Sequence, residues 1–292
     1  MSVSPPPRSI RIPALDGYPL AADVWEPDAG APARPAVVIN SAMGVHRRFY
    51  RAFAAHLAGR GLCVVAYDYR GIGESAPGRL RGFPARARDW SQLDFAGVLR
   101  WLNDRRGARD VAVVGHSIGG QLLGLASDAG AVSSALLVGA QAGSWRHWSG
   151  LRRLGLAALW FAAVPAFTAS TGKLPMRWFG LGENVPAGVA REWAQWGRSP
   201  EYLFDPRHRL DVSGYQRLAI PMRAYSFADD RYAPRPAVEA LLRRYSAARI
   251  DRRHLGDTEL RGRRVGHFGF FRAGLVPDLW QEAADWLTSG GG

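Results

Sequence analysis

The stretch VAVVGHSIGGQLLGLAS, residues 111–127, decides how the rest of the chain is read. Val111 to Val114 is a short, continuous apolar run, which suits a strand buried on both faces of a parallel sheet. Gly115-His116-Ser117-Ile118-Gly119 follows at once as a G-x-S-x-G pattern, and Gln121 to Ser127 reads as helix. Strand, sharp turn and helix in that order are what a nucleophile elbow requires. The pattern alone is weak: a shuffled chain with 34 glycines in 292 residues would show it roughly a quarter of the time. Its context makes it informative. Side chains in place of the flanking glycines would collide with neighbouring backbone, and the turn lifts the Ser117 hydroxyl over the sheet edge. The bland alternative is a glycine-rich strand–helix turn with an exposed serine.

Outward from this stretch, the same rhythm recurs. Arg8 to Pro13 and Leu20 to Trp25 read as two strands joined by an Asp16-Gly17 turn. Ala36 to Asn40, Leu62 to Tyr67 and Val132 to Val138 are further buried-strand runs. Between them, Phe49 to Leu57 and Trp90 to Leu102 carry helical patterns that stop before Gly59 and Gly107. Alternating strands and helices are the α/β signature. From about Gly143 to Arg209 the rhythm breaks. Prolines 165, 175, 186 and 200 cut helical pieces there, and Trp145, Trp148, Trp160, Trp178, Trp193 and Trp196 fall in the same segment. It resumes with a strand at Ile220 to Phe227, a helix near Pro236 to Tyr245, a strand near Arg249 to Leu255 and a helix near Leu275 to Leu287. The expected organisation is therefore an α/β core at 1–142 and 210–292, with a helical lid at 143–209.

A serine hydroxyl needs a base, and the base needs an orienting carboxylate. After a nucleophile elbow these follow in the order acid, then histidine. His147 and His208 precede the candidate acids. His267, in the loop Gly266-His267-Phe268-Gly269 before the last helix, is favoured over His254, which lies in a charged strand. Asp229 and Asp230 follow the strand ending at Phe227; Asp230 is favoured, and the other is left to cap a loop or helix. Of the two oxyanion donors, one is the Ile118 N–H; the other is assigned to Ala42, with Met43 next, in Ser41-Ala42-Met43-Gly44. Met43, Trp145 and Trp148 are the candidate substrate-binding residues. The tryptophans of the insertion equally suit a packed lid core.

Composition excludes other classes. Aromatic residues make up 11% of the chain, which is incompatible with bulk disorder, and the single cysteine, Cys63, excludes a disulfide scaffold. The formal charge of +13 raises nucleic acid and acidic membranes as partners. Only Lys173 among the 38 basic residues is lysine, and the arginines are scattered, so a solvated basic surface is the simpler reading, with Arg243 to Arg264 the densest run. No metal-ligand spacing or dinucleotide fingerprint is present, and Met1 to Pro13 has no apolar core of a signal peptide. A cytoplasmic enzyme without a cofactor is expected, with a small-molecule acyl substrate and no nucleic acid as partner. Weak membrane-surface contact through Leu154 to Phe167 and a homodimer stand as further partner expectations.

Taken together, the chain resembles the α/β-hydrolase superfamily from the strand at Ala36 through His267. Tyr67-Asp68-Tyr69-Arg70-Gly71-Ile72-Gly73-Glu74-Ser75 is similar to its D-x-R-G-x-G-x-S turn. Met43-Gly44-Val45, Phe49-Tyr50-Arg51, Asp229-Asp230 and Gly266-His267 make it look like a bacterial group of predicted α/β hydrolases related to serine aminopeptidases and monoglyceride lipases. The resemblance implies a mostly parallel twisted sheet flanked by helices, with a helical lid. It implies a serine hydrolase acting on an ester, thioester or amide, or an acyltransferase with the same Ser117, Asp230 and His267. A non-catalytic binder on this scaffold is the remaining alternative. One departure stands out: Asn40-Ser41 occupies a place where many relatives have His-Gly, so the identity of the second oxyanion donor stays open.

Overall fold

The apolar runs pair into a single eight-stranded sheet. The computed structural model describes residues 6–27, 34–107, 110–127, 129–179 and 182–291. Its strands are β1 (Arg8–Pro13), β2 (Pro19–Trp25), β3 (Ala36–Asn40), β4 (Cys63–Tyr67), β5 (Val111–His116) and β6 (Val132–Val138), then a two-residue pair β7 (Lys173–Leu174) and β8 (Val185–Pro186), then β9 (Pro221–Phe227) and β10 (Arg249–Leu255). The sheet order is β1-β2-β4-β3-β5-β6-β9-β10, antiparallel at β1/β2 and β2/β4 and parallel elsewhere. Met1 to Pro5 and the last glycine lie outside the described residues.

Both faces of the sheet are covered, which explains why the central strands read as unbroken apolar runs. On β3, Ala36 and Val38 face one core and Val37 and Ile39 the other. The first core holds Trp90, Leu99 and Leu102 of the segment running into helix Ala96–Arg106. The second packs Phe53 of helix Arg51–Ala58 against Phe270, Phe271 and Trp280. Between β3 and β5 the connections leave in opposite directions along the sheet. This topological switch point is where loops after parallel strands open a crevice. Asn40 pairs with Gly115, so the loop after Asn40 and the turn at Ser117 start side by side.

Two expected helices differ from the sequence reading. After Ser117 the helix covers only Ile118–Gln121, and a 3-10 turn at Leu123–Leu125 follows in place of the helix read to Ser127. Glycine disfavours helix, and three glycines fall within Gly119–Gly124. Tertiary contacts use the break: a Cβ on Gly124 would lie 2.5 Å from the Tyr215 ring, and the Tyr215 hydroxyl donates to the Gln121 carbonyl. The pattern from Trp90 begins as a wide π turn, Trp90–Phe95, before the α-helix.

The segment between β6 and β9 is mostly helical. A continuous helix Gly150–Thr171 packs beside helix Ala187–Arg198. Arg198 donates to the Trp160 carbonyl at 2.9 Å, and Arg191 to the Thr168 carbonyl at 3.0 Å. The short pair β7/β8 is a detail that the proline-cut sequence did not show.

Candidate active site

Ser117 sits at the end of β5 with φ 53° and ψ −118°, a conformation that non-glycine residues adopt only when their surroundings impose it. The surroundings are tight. A Cβ on Gly115 would lie 2.6 Å from the Gly120 Cα, and one on Gly119 only 2.2 Å from the Asn40 carbonyl oxygen. Both glycines are thus required for the backbone to close on itself at the turn. The Ser117 N–H donates to the Val138 carbonyl at 3.0 Å, which fixes the turn to the neighbouring strand.

The loops after β9 and β10 bring two further residues to the same edge. His267 Nδ1 donates to Asp230 Oδ2 at 2.8 Å, and both side chains are nearly buried. Asp230 Oδ1 accepts the N–H groups of Tyr232 (2.8 Å) and Ala233 (3.0 Å), so the carboxylate is held rigidly. Asp229 takes another part: its Oδ1 accepts the Gly266 N–H at 2.9 Å and ties down the histidine loop. His254 is drawn away, paired with Ser226 at 2.8 Å. Ser117 and His267 line one cavity of about 900 Å³. The apolar part of its wall comes largely from the segment between β6 and β9, including Leu156, Leu159, Phe167, Leu174 and Trp193.

The sequence pattern of the alpha/beta hydrolase family matches residues 17–278. The chain belongs to that family. As an alpha/beta hydrolase it is an enzyme, and its sheet is that of the family. Similar solved structures include an esterase from Pyrococcus furiosus (13% identity, 97% of this chain and 90% of that one, TM-score 0.62). Another is an esterase from Exiguobacterium antarcticum (17% identity, 97% and 98%, TM-score 0.59). A third is a monoacylglycerol lipase from Paleococcus ferrophilus (13% identity, 93% and 99%, TM-score 0.60). At these identities the likeness is one of fold. A comparison with curated proteins finds no match.

The hydrolase treats the other expected site residues unequally. Met43, Ala42 and Trp148 line the cavity. Trp145 is not in its wall: it packs against Phe161, and the guanidinium groups of Arg146 and Arg153 lie over its ring. Of the other tryptophans, Trp160 and Trp193 reach the cavity, Trp196 is core and Trp178 is exposed. The Ile118 N–H starts its short helix and has no acceptor among the described residues. The Ala42 N–H is engaged, donating to the Tyr50 hydroxyl at 2.9 Å. That bond removes Ala42 as a free donor. Met43 N–H, next along the loop, has no acceptor among the described residues.

Three positions were missed in the sequence. Gly139, at φ 57°, backs the acid–histidine pair, since a Cβ there would lie 3.2 Å from the His267 ring and 3.3 Å from Asp230 Oδ2. Its position directly after the β6 run was the only hint. His116 and Tyr50 form the other feature. His116 Nε2 meets the His267 carbonyl at 2.9 Å, and a carbonyl only accepts, so Nε2 carries the proton. Nδ1 is then the acceptor for the Tyr50 hydroxyl at 2.8 Å. A buried chain thereby runs from the Ala42 N–H through Tyr50 and His116 to the backbone of His267. Burial pushes the His116 imidazole well below its ordinary range, and the neighbouring His267 lowers it further.

A pH effect on stability follows. The unfolded imidazole protonates near 6.5, whereas the folded one stays neutral to well below that value. Between the two, the unfolded chain binds the extra proton, so stability is lost as pH falls below about 6.5. The His116→Gln variant should show a shallower loss, by up to one proton or about 1.4 kcal/mol per pH unit. Denaturant titrations at several pH values below 7 check this; equal slopes for the two proteins would contradict it.

Proposed function

We propose that the chain is a serine hydrolase that cleaves a carboxylic ester, thioester or amide with an apolar acyl group, through an acyl-enzyme on Ser117. The observation that carries this reading is the shared cavity of Ser117 and the Asp230-bound His267. Because Nδ1 donates to Asp230, Nε2 of the neutral ring is free to take a proton. In the first step His267 Nε2 removes the Ser117 proton as the oxygen bonds to the substrate carbonyl carbon. The negative charge moves to the carbonyl oxygen, where the N–H groups of Ile118 and Met43 stabilise it. The intermediate collapses by breaking the bond to the leaving group, which takes the proton from His267. Water then gives its proton to His267 and attacks the acyl carbon, and Ser117 is released with its proton restored. Asp230 remains a carboxylate and stabilises the transient imidazolium.

The apolar wall around the cavity supports an acyl portion that is itself apolar, since burying its surface contributes roughly 25 cal/mol per Å². The segment between β6 and β9 acts as a lid by forming much of that wall.

A fluorophosphonate probe tests the chemistry directly. The wild-type protein is expected to label at one residue, with the adduct mass on the peptide that contains Ser117. Failure to label, or an adduct elsewhere, would overturn the proposal. Product analysis with water and added alcohols or amines distinguishes hydrolysis from acyl transfer by the same intermediate.

A further inference from the structure

Five large hydrophobic side chains are exposed among the described residues, and four of them lie between positions 151 and 178: Leu151 at 86%, Leu154 at 64%, Phe161 at 56% and Trp178 at 66%. Apolar side chains scattered singly need no explanation, but a group on one element does. Leu151, Leu154 and the exposed Ala158 are spaced to share one side of a helical surface. Leu156 and Leu159 of the same helix point into the cavity wall. Helix Gly150–Thr171 is apolar enough along its length to cross a membrane, yet only 17% of its most apolar window is buried in the protein.

Charge is segregated in the same place. From residue 129 to residue 182 the sequence has no aspartate or glutamate, while Arg146, Arg152, Arg153, Lys173 and Arg177 supply cations. Several arginines elsewhere are paired with carboxylates, among them Arg47 with Asp23, Asp68 and Glu74, Arg70 with Asp16 and Asp94, and Arg88 with Glu192, while others such as Arg263 and Arg264 have no carboxylate partner among the described residues. Arg146, Arg152 and Arg153 are exposed and have no carboxylate partner among the described residues. Two of them lie over the Trp145 ring, which holds their positive ends beside the apolar row.

We propose that this face docks on an anionic lipid surface, with Gly150–Thr171 lying in the plane of the interface. An exposed apolar row beside unpaired arginines suits the boundary between acyl chains and anionic headgroups. The helix does not cross the bilayer, because its other side is tied to helix Ala187–Arg198 through Trp160, Thr168, Arg191 and Arg198. Docking itself is independent of the proposed chemistry. The consequence that an apolar substrate enters the cavity from the lipid side rests on that reading.

Sedimentation of the full chain with vesicles tests the proposal. The protein should pellet with phosphatidylcholine vesicles containing phosphatidylglycerol at low salt, and less at high salt because the headgroup attraction is screened. It should pellet weakly with phosphatidylcholine alone. The Leu151→Glu/Leu154→Glu variant, altered only at exposed positions outside the cavity wall, should bind at least about tenfold more weakly. It should retain the wild-type melting transition and fluorophosphonate labelling. Wild-type protein that stays in the supernatant with anionic vesicles overturns docking, as does a variant that pellets as well as wild type. A wild-type dimer that the double substitution converts to monomer, without vesicle binding, assigns the face to a second copy and also overturns it. Labelling on the same samples separates the two proposals: labelled protein that does not pellet refutes docking alone, and pelleting protein that does not label refutes the serine chemistry alone.

Discussion

Replacing Ser117 by alanine is expected to lower turnover of an activated ester by about a million-fold, with His267→Ala almost as costly. The two losses should not multiply. Once the nucleophile is gone the base has no proton to take, so the Ser117→Ala/His267→Ala double variant should be no slower than the worse single one. Asp230→Asn should cost about 10⁴-fold, because an amide at Oδ2 cannot hold the ring in the tautomer that leaves Nε2 free. Asp229→Asn should stay within about tenfold, since it accepts only the Gly266 N–H and an amide oxygen can do the same. Steady-state kinetics on a short-chain aryl ester measure all five variants. Multiplicative losses for Ser117 and His267, or a larger effect at Asp229 than at Asp230, would contradict the assigned roles.

The largest expected effect on stability comes from Arg47. Its guanidinium is buried among three carboxylates, with Nε 3.2 Å from Asp23, Nη1 on Asp68 and Nη2 2.7 Å from Glu74. Asp23 and Asp68 are themselves fully buried. Arg47→Ala would remove the cation they share, leaving Asp23 with Arg51 and Asp68 with no arginine partner among the described residues, and removing one partner of a buried pair costs about 3–5 kcal/mol. The pH dependence has a definite sign. Burial pushes the Asp23 carboxyl up, but hydrogen bonds from Ser9 and Arg51, together with the charge of Arg47, outweigh it and hold it below its usual range. Its stabilisation is therefore present above the ordinary carboxylate pKa of about 3.9 and is lost as pH falls below it. In the variant Asp23 loses the charge of Arg47 and keeps only Ser9 and Arg51 against its burial, so its carboxyl is held down less and the deficit should be greatest near neutrality and narrow toward pH ~4. Denaturant midpoints of both proteins across that range check it; a deficit that grows on acidification would count against this account.

The D-x-R-G-x-G-x-S turn shows how far a motif carries. Its residues were legible, but the partners that explain them were not. Asp68 accepts the Arg47 N–H at 2.7 Å and the Glu74 N–H at 3.1 Å. Arg70 bridges Asp94 at 2.6 Å and Asp16 at 2.8 Å. Ser75 Oγ donates to the Asp68 carbonyl at 2.8 Å and accepts the Ala21 N–H at 2.7 Å. The motif thus clips the hairpin β1/β2 and the Trp90–Phe95 turn to the sheet. Arg47 and Arg70 are buried cross-links, so the basic excess is not all solvated surface.

The strands of the main sheet, the turn at Ser117 and the preference for His267 over His254 were all legible along the chain. Those features are local, written in apolar runs, glycine spacing and position relative to a strand end. That Asp230 meets His267 while Asp229 holds Gly266 was not legible there, because adjacent carboxylates leave the backbone in directions that the loop sets. The tertiary structure alone showed the Ala42 N–H bound to Tyr50, Trp145 turned away from the cavity, and Gly139 giving room to the acid–histidine pair. These depend on contacts between residues far apart in the chain, and pattern along a sequence carries no information about which distant hydroxyl or ring will arrive.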